Sequence, residues 1–144
     1  MKISTKGRYG LRILLDIAMN PGEQPRMIRD ICKSQKISEK YAGRLIIELR
    51  KAGMLVSIRG AHGGFKLKKM PKDISLLEVI ETMEGPVSVV DCVGNPKNCK
   101  RVDECGANKV WSGLNSLVKN YLADISLQDI IDSGEPMDID YYCI

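Results

Sequence analysis

Apolar residues recur early in the chain at spacings that belong to helices. Leu11, Leu14, Leu15 and Ala18 lie three and four residues apart within 6–19, so one face of a helix is apolar there. Asn20-Pro21-Gly22 stops it, because proline and glycine both disfavour continuation. Ile28, Ile31 and Cys32 repeat the pattern over about 26–34, with Cys32 as a small inward hydrophobe. A turn at Lys36-Ile37 follows, and Ser38 is a good N-cap for a third helix running to about Ala52. Tyr41, Leu45, Ile46 and Leu49 make its apolar stripe, and Gly53 supplies the stop.

The period then shortens. Met54–Ile58 reads as a strand, and Phe65-Lys66-Leu67-Lys68 alternates apolar and basic as a half-buried strand should. Arg59-Gly60-Ala61-His62-Gly63-Gly64 between them suits a tight hairpin. Two helices across a short turn, then a basic hairpin, predict a winged helix-turn-helix.

Pro71 marks a boundary, and Ser75-Leu76-Leu77-Glu78 matches a capping box that opens a short helix ending near Gly85. A long helix is expected over about 107–124. Trp111, Leu114, Val118, Tyr121 and Ile125 are spaced three, four, three and four, a seam with a period near 3.5 that Val110, Leu117 and Leu122 widen. A helix apolar on more than one face packs on its own domain and on a second copy, so a homodimer is expected through it. A last helix opens at Ser126 and ends near Gly134, and the tail MDIDYYCI is expected to pack on the dimer. The fold class is therefore mainly α with a small β-hairpin. Residues 1–70 form the winged helix-turn-helix domain, and residues 71–144 hold a cysteine-bearing loop and the dimerisation helices.

Charge changes the picture. The net charge of +4 conceals 16 Lys/Arg against 5 Asp/Glu in residues 1–70 (+11) and 6 against 13 in residues 71–144 (−7). A polyanion partner is expected for the first half only. Lys40, Arg44 and Lys51 lie off the apolar stripe of the third helix and are free to reach it. The start MKISTKGRYG is too polar for a signal peptide and no apolar run is long enough to span a membrane, so a cytoplasmic protein with reduced thiols is expected.

Three of the five cysteines crowd one stretch, DCVGNPKNCKRVDEC: Cys92, Cys99 and Cys105. Gly94, Asn95, Pro96 and Asn98 break any helix there, so the thiols can converge in space. A metal or redox centre follows. Zinc is disfavoured by the lack of paired CxxC spacings, while a disulfide-forming thiol switch stays open. No catalytic dyad or phosphate loop accompanies the cysteines, so an enzyme is not expected.

The opening MKISTKGRYG, the helix SEKYAGRLIIELRKAG, the wing VSIRGAHGGFKL and the cysteine triplet before Trp111 together resemble the Rrf2 family of bacterial winged-helix transcription regulators, over nearly the whole chain. The triplet is similar to that of the cluster-binding branch; a cluster-free branch that governs cysteine metabolism lacks it. The resemblance implies a homodimeric regulator, a repressor, on a roughly palindromic double-stranded DNA operator. It would control cluster-assembly, iron, cysteine or stress genes. Lys40 and Arg44 are then candidates for base edges. Ser38, Tyr41, Lys6 and Arg8 are candidates for phosphates, and Arg59 and His62 for the minor groove. Where the cluster-binding branch has a glutamate that helps select its site, this chain has Gly43, so base preference should differ. Cys92, Cys99 and Cys105 would ligate an iron–sulfur cluster, 2Fe-2S in preference to 4Fe-4S. The branch completes its site with a histidine three residues after the third cysteine. Here that position is Asn108, leaving Asn108, Asp103, Glu104, Cys143 or a group from the partner subunit as candidate fourth ligand. The alternative is a cluster-free regulator controlled by thiol oxidation or a protein partner.

Overall fold

The computed structural model describes residues 1–20 and 22–134. Pro21 and the tail from 135, with Cys143 and its expected packing, lie outside the described residues. The elements are α1 (Thr5–Ala18), α2 (Ile28–Gln35), α3 (Glu39–Lys51), β1 (Leu55–Ile58), β2 (Gly64–Leu67), α4 (Leu76–Glu84), α5 (Asp91–Gly94), α6 (Gly106–Asp124) and α7 (Leu127–Asp132). Mostly helical with one antiparallel hairpin, the architecture is the expected one.

Local chemistry sets the boundaries. The side-chain oxygens of Ser4, Ser38, Ser75 and Ser126 accept backbone N–H bonds at the starts of α1, α3, α4 and α7. Lys36 closes α2 in the left-handed region, at φ 54°. At α4 only half of the expected capping box forms. Ser75 accepts from the Glu78 amide, but the Glu78 carboxylate takes the Lys69 ammonium at 2.6 Å. The full reciprocal box is at α7, between Ser126 and Asp129.

Two differences from the sequence reading matter. The second helix starts at Ile28 rather than 26, because Arg26 pairs with β2: the Arg26 and Phe65 amides each donate to the other's carbonyl at 2.9 Å. The hairpin is thereby tied to the helical core. Between α4 and α6, helical turns do form. α5 is one turn ended at Gly94, and 3-10 turns occupy Pro96–Asn98 and Val102–Glu104.

The larger core runs through α1, α2, α3 and α4, with Ile13, Leu14, Ile31, Leu45, Ile46, Leu49 and Met54 fully covered. It crosses position 70, since Ile74, Val79, Met83 and Leu127 belong to it. The link is an amide bond each way: Leu76 N–H to Ile125 O at 2.7 Å and Leu127 N–H to Ile74 O at 3.0 Å. A smaller core of Ile80, Val87 and Leu122, flanked by Val118, holds α6 on α4.

Candidate nucleic-acid interface and cysteine loop

α3 is amphipathic in the sense a reading helix requires. Ala42, Leu45, Ile46 and Leu49 are buried, while Lys40, Arg44 and Lys51 are exposed. The turn before it is short because Lys36 adopts positive φ and the Ile37 amide donates back to Cys32 O at 3.1 Å. Ser38 is exposed, but its oxygen already accepts from the Tyr41 amide at 3.2 Å, so its hydroxyl proton is what it can offer a phosphate. Tyr41 is half-buried and meets Tyr9 edge to face, ring centroids 6.0 Å apart. The Arg12 guanidinium lies 4.8 Å over the Tyr9 ring. α1 therefore fixes where the Tyr41 hydroxyl points. Gly43 is open: an added Cβ would find only Ile28 Cδ1, at 3.9 Å. The glycine is a feature of the surface and not a demand of packing.

Lys6 and Arg8 stand on the first turns of α1. Lys6 Nζ is held 2.7 Å from Glu48 on α3, and Arg8 donates to Thr5 Oγ1 at 3.2 Å. The N-terminus of α1 is buckled to α4 by a residue the sequence did not single out. Glu84 Oε1 accepts from Ser4 Oγ at 2.6 Å, Gly7 N–H at 2.8 Å and Ser4 N–H at 3.2 Å. The Ser4 hydroxyl bond, ahead of burial, which opposes it, and then the Gly7 and Ser4 amides and the charge of Lys6, hold the Glu84 carboxyl below its usual range. Nothing local marks Glu84, whose partners are about 80 residues away.

At the wing, β1 pairs with β2 from Leu55↔Leu67 to Ile58↔Gly64. Gly60 turns the tip at φ 118°, and Arg59 and His62 stand exposed there. A Cβ on Gly64 would sit 2.5 Å from the Arg26 carbonyl oxygen, so glycine is needed for the close approach of β2 to Arg26.

The cysteine triplet lies on consecutive short turns between α4 and α6. Cys92 is in α5; the Cys99 and Cys105 amides each close a 3-10 turn, on Pro96 O and Val102 O. All three are free and half-buried. No three His, Cys, Asp or Glu side chains gather as a ligand set among the described residues. The donors nonetheless suit a soft, thiolate-binding centre. Asn108 Oδ1 accepts from Ser112 Oγ at 3.3 Å, and Asp103 and Glu104 are exposed. Cys32, by contrast, is inside the core, where burial and then the charge of Glu39 push its thiol up, as for a structural cysteine.

α6 separates its two faces. Asn115 accepts from the Val89 amide at 3.0 Å, Val118 and Leu122 join the small core, and Lys119 meets Glu81 at 3.4 Å. Val110, Trp111, Leu114, Leu117 and Tyr121 face outward. Of the expected seam, Val118 therefore turns to its own chain, and Ile125 is half-buried just past the end of α6. The outward stripe is Val110, Leu114, Leu117 and Tyr121, with Trp111 beside it. Leu122, expected to widen that seam, is buried.

A helix-turn-helix with a basic reading face, a wing and a cysteine loop ahead of a long amphipathic helix defines a winged-helix DNA-binding regulator. The model of the Rrf2 family, described as iron-dependent transcriptional regulator, matches residues 3–133, and the chain belongs to that family. It is a transcriptional regulator and not an enzyme. It is 38% identical over 130 residues to the HTH-type transcriptional regulator CymR of Bacillus subtilis (strain 168), covering 90% of this chain and 89% of the relative. To the regulator IscR of Photorhabdus laumondii it is 33% identical over 139 residues, covering 96% and 84%. The solved structure of CymR, the global cysteine regulator of B. subtilis, superposes with a TM-score of 0.77 at 34% identity, covering 92% of this chain and 98% of that one. No helix among the described residues is long and apolar enough to cross a membrane.

Proposed function

We propose that this Rrf2 regulator is a cytoplasmic homodimer that represses transcription from a roughly palindromic operator, and that Cys92, Cys99 and Cys105 hold an iron–sulfur cluster whose presence sets its grip on DNA. The observation that carries the DNA half is the exposed cationic face of α3 opposite a fully packed one. Lys40 and Arg44 would reach base edges in the major groove, and Arg44 can pair with guanine O6 and N7. Ser38, Tyr41, Arg8 and Lys6 would take phosphates, Lys6 by exchanging its partner Glu48. Arg59 and His62 would lie along the minor groove. The outward stripe of α6 would meet its copy, placing two α3 helices in successive major grooves.

The sensing half rests on three half-buried free thiols in one loop. A bound cluster, 2Fe-2S in this reading, would supply iron–thiolate bonds that tie the three turns together. A fourth ligand would come from Asn108, Asp103, Glu104, Cys143 or the partner subunit. The loop touches both sides of the molecule: the Val89 carbonyl accepts from the Met1 amine at 3.2 Å, and its amide is held by Asn115. Ordering the loop would thus shift α1 against α6, and with them the spacing of the two reading helices. Control of cluster-assembly, iron, cysteine or stress genes follows from that chemistry.

A second reading is supported by the likeness to the regulator CymR, 38% identical over 130 residues. There the regulator is cluster-free and answers to thiol oxidation or a protein partner. An absorption spectrum with iron and sulfide analysis, on protein purified without oxygen, separates the two. Bands across about 320–460 nm with matched iron and sulfide, as iron–thiolate ligation produces, support the cluster. Colourless, iron-free protein after attempted reconstitution supports the second reading.

A further inference from the structure

The reading face of α3 contains one residue that phosphate attraction does not explain. Lys40, Arg44, Ile47 and Lys51 follow one another at spacings of four, three and four, which places them on one helix face. All four are exposed, Ile47 at 49%. Single exposed apolar side chains are ordinary. This one is set among cations, on the rim of a groove of about 410 Å³ between α3 and β1. Arg50, Lys51 and Lys68 line the same groove with Val56. None of those three cations has an ion-pair partner among the described residues. The groove therefore suits a polyanion with an apolar element beside its charges. A DNA strand has that combination, with phosphates at its edge and thymine methyl groups in the major groove.

We propose that Ile47 is a specificity-determining residue that packs on the C5-methyl of a thymine, while Arg50, Lys51 and Lys68 hold the adjoining phosphates. Isoleucine has no donor for a phosphate, so any affinity it adds comes from excluding water against another apolar group. Arg44, about one turn N-terminal on the same face, and Lys40, about two turns N-terminal, place it beside the bases they would read. The proposal rests on α3 as the reading helix, and the test distinguishes failure of that premise from failure of Ile47.

The full-length protein is assayed on a duplex recovered by selecting random DNA with the wild type. Each thymine is then replaced by uracil, which removes the methyl and leaves every pairing group in place. One uracil position per half-site should weaken the wild type about fourfold, the contribution of one buried methyl-sized group. Ile47→Ala, which removes the contact from both half-sites of the dimer, should lose about that factor twice over, roughly sixteenfold, on the thymine duplex and nothing more at either uracil. The proposal is overturned if Ile47→Ala binds as the wild type does, or if it keeps the wild type's sensitivity at every uracil. Arg44→Ala, run in parallel, tests the premise. If both variants keep the full preference for the selected duplex over a scrambled one, α3 is not the reading element. If Arg44→Ala alone loses it, only the role of Ile47 fails. Ile47 lies outside the core, so its truncation leaves the fold intact.

Discussion

Arg44 is exposed one turn inside the reading helix, on the face opposite its buried Leu45, Ile46 and Leu49. In a base-reading role its guanidinium makes paired bonds that a wrong base cannot complete. Arg44→Ala should therefore weaken discrimination between a selected and a scrambled duplex by about 1–3 kcal/mol, measured by fluorescence anisotropy. Equal loss on both duplexes would make it a phosphate contact instead. Gly64 acts through backbone alone. A methyl there meets the Arg26 carbonyl oxygen and the Met27 amide nitrogen, neither of which is a flexible side-chain end. Gly64→Ala should cost about 1–3 kcal/mol, the range for an overpacked contact, in a denaturant titration. The loss should appear together with weakened DNA binding, since the wing is tied to the core through that bridge.

Among elements, the junction of α1 with α4 is held by a carboxylate at a helix start. Glu84 satisfies the Gly7 amide of the first turn, a role a side chain normally fills from within its own helix. Its folded pKa lies below the ordinary value. The contribution is thus full at neutral pH and is lost as the pH falls through the carboxylate range toward that lower folded value. Glu84→Ala should destabilise by on the order of 1 kcal/mol at neutral pH, as loss of a helix cap does, and the gap to the wild type should narrow in acid. A gap that stays constant with pH would mean the charge plays no part. On α6, Leu117 is 68% exposed and touches neither core. Leu117→Glu should leave the circular dichroism spectrum unchanged and reduce the mass in light scattering to that of a monomer. Persistence of the dimer would place its interface elsewhere.

For the whole molecule the division of charge along the chain favours the first half as the part that meets DNA. Residues 1–70, which include α3 and the wing, carry the excess of +11, whereas residues 71–144 carry −7, and a polyanion is attracted to the first set. The cysteine loop lies where it can influence both ends, joined to the N-terminus through Val89 and to α6 through Asn115. If the triplet holds the proposed cluster, Cys92→Ala should remove the iron, the sulfide and the visible absorbance. It should also abolish any difference in DNA affinity between anaerobically purified and metal-stripped protein. Loss of the cluster with that difference intact would sink the switch while leaving DNA binding in place.

The sequence by itself determined the local elements. Spacings of three and four set α1, α3 and α6, serine caps set where helices begin, and the glycine-rich hairpin set the wing, because these depend on residues a few positions apart. The basic face of α3 was legible for the same reason, and Ile47 lies in that same spacing between Arg44 and Lys51. Tertiary structure alone decided which of the apolar faces of α6 is spent on its own chain. Both faces are apolar in sequence, and only the packing of Val118 and Leu122 on α4 leaves Leu114, Leu117 and Tyr121 outside. It also decided that Arg26 pairs with Phe65, that Glu84 caps α1, and that Leu127 returns to the core shared by α1, α2 and α3. Each of these joins groups distant along the chain. Their pairing is selected by how the burial of every other element can be satisfied at once, and no local spacing records that outcome.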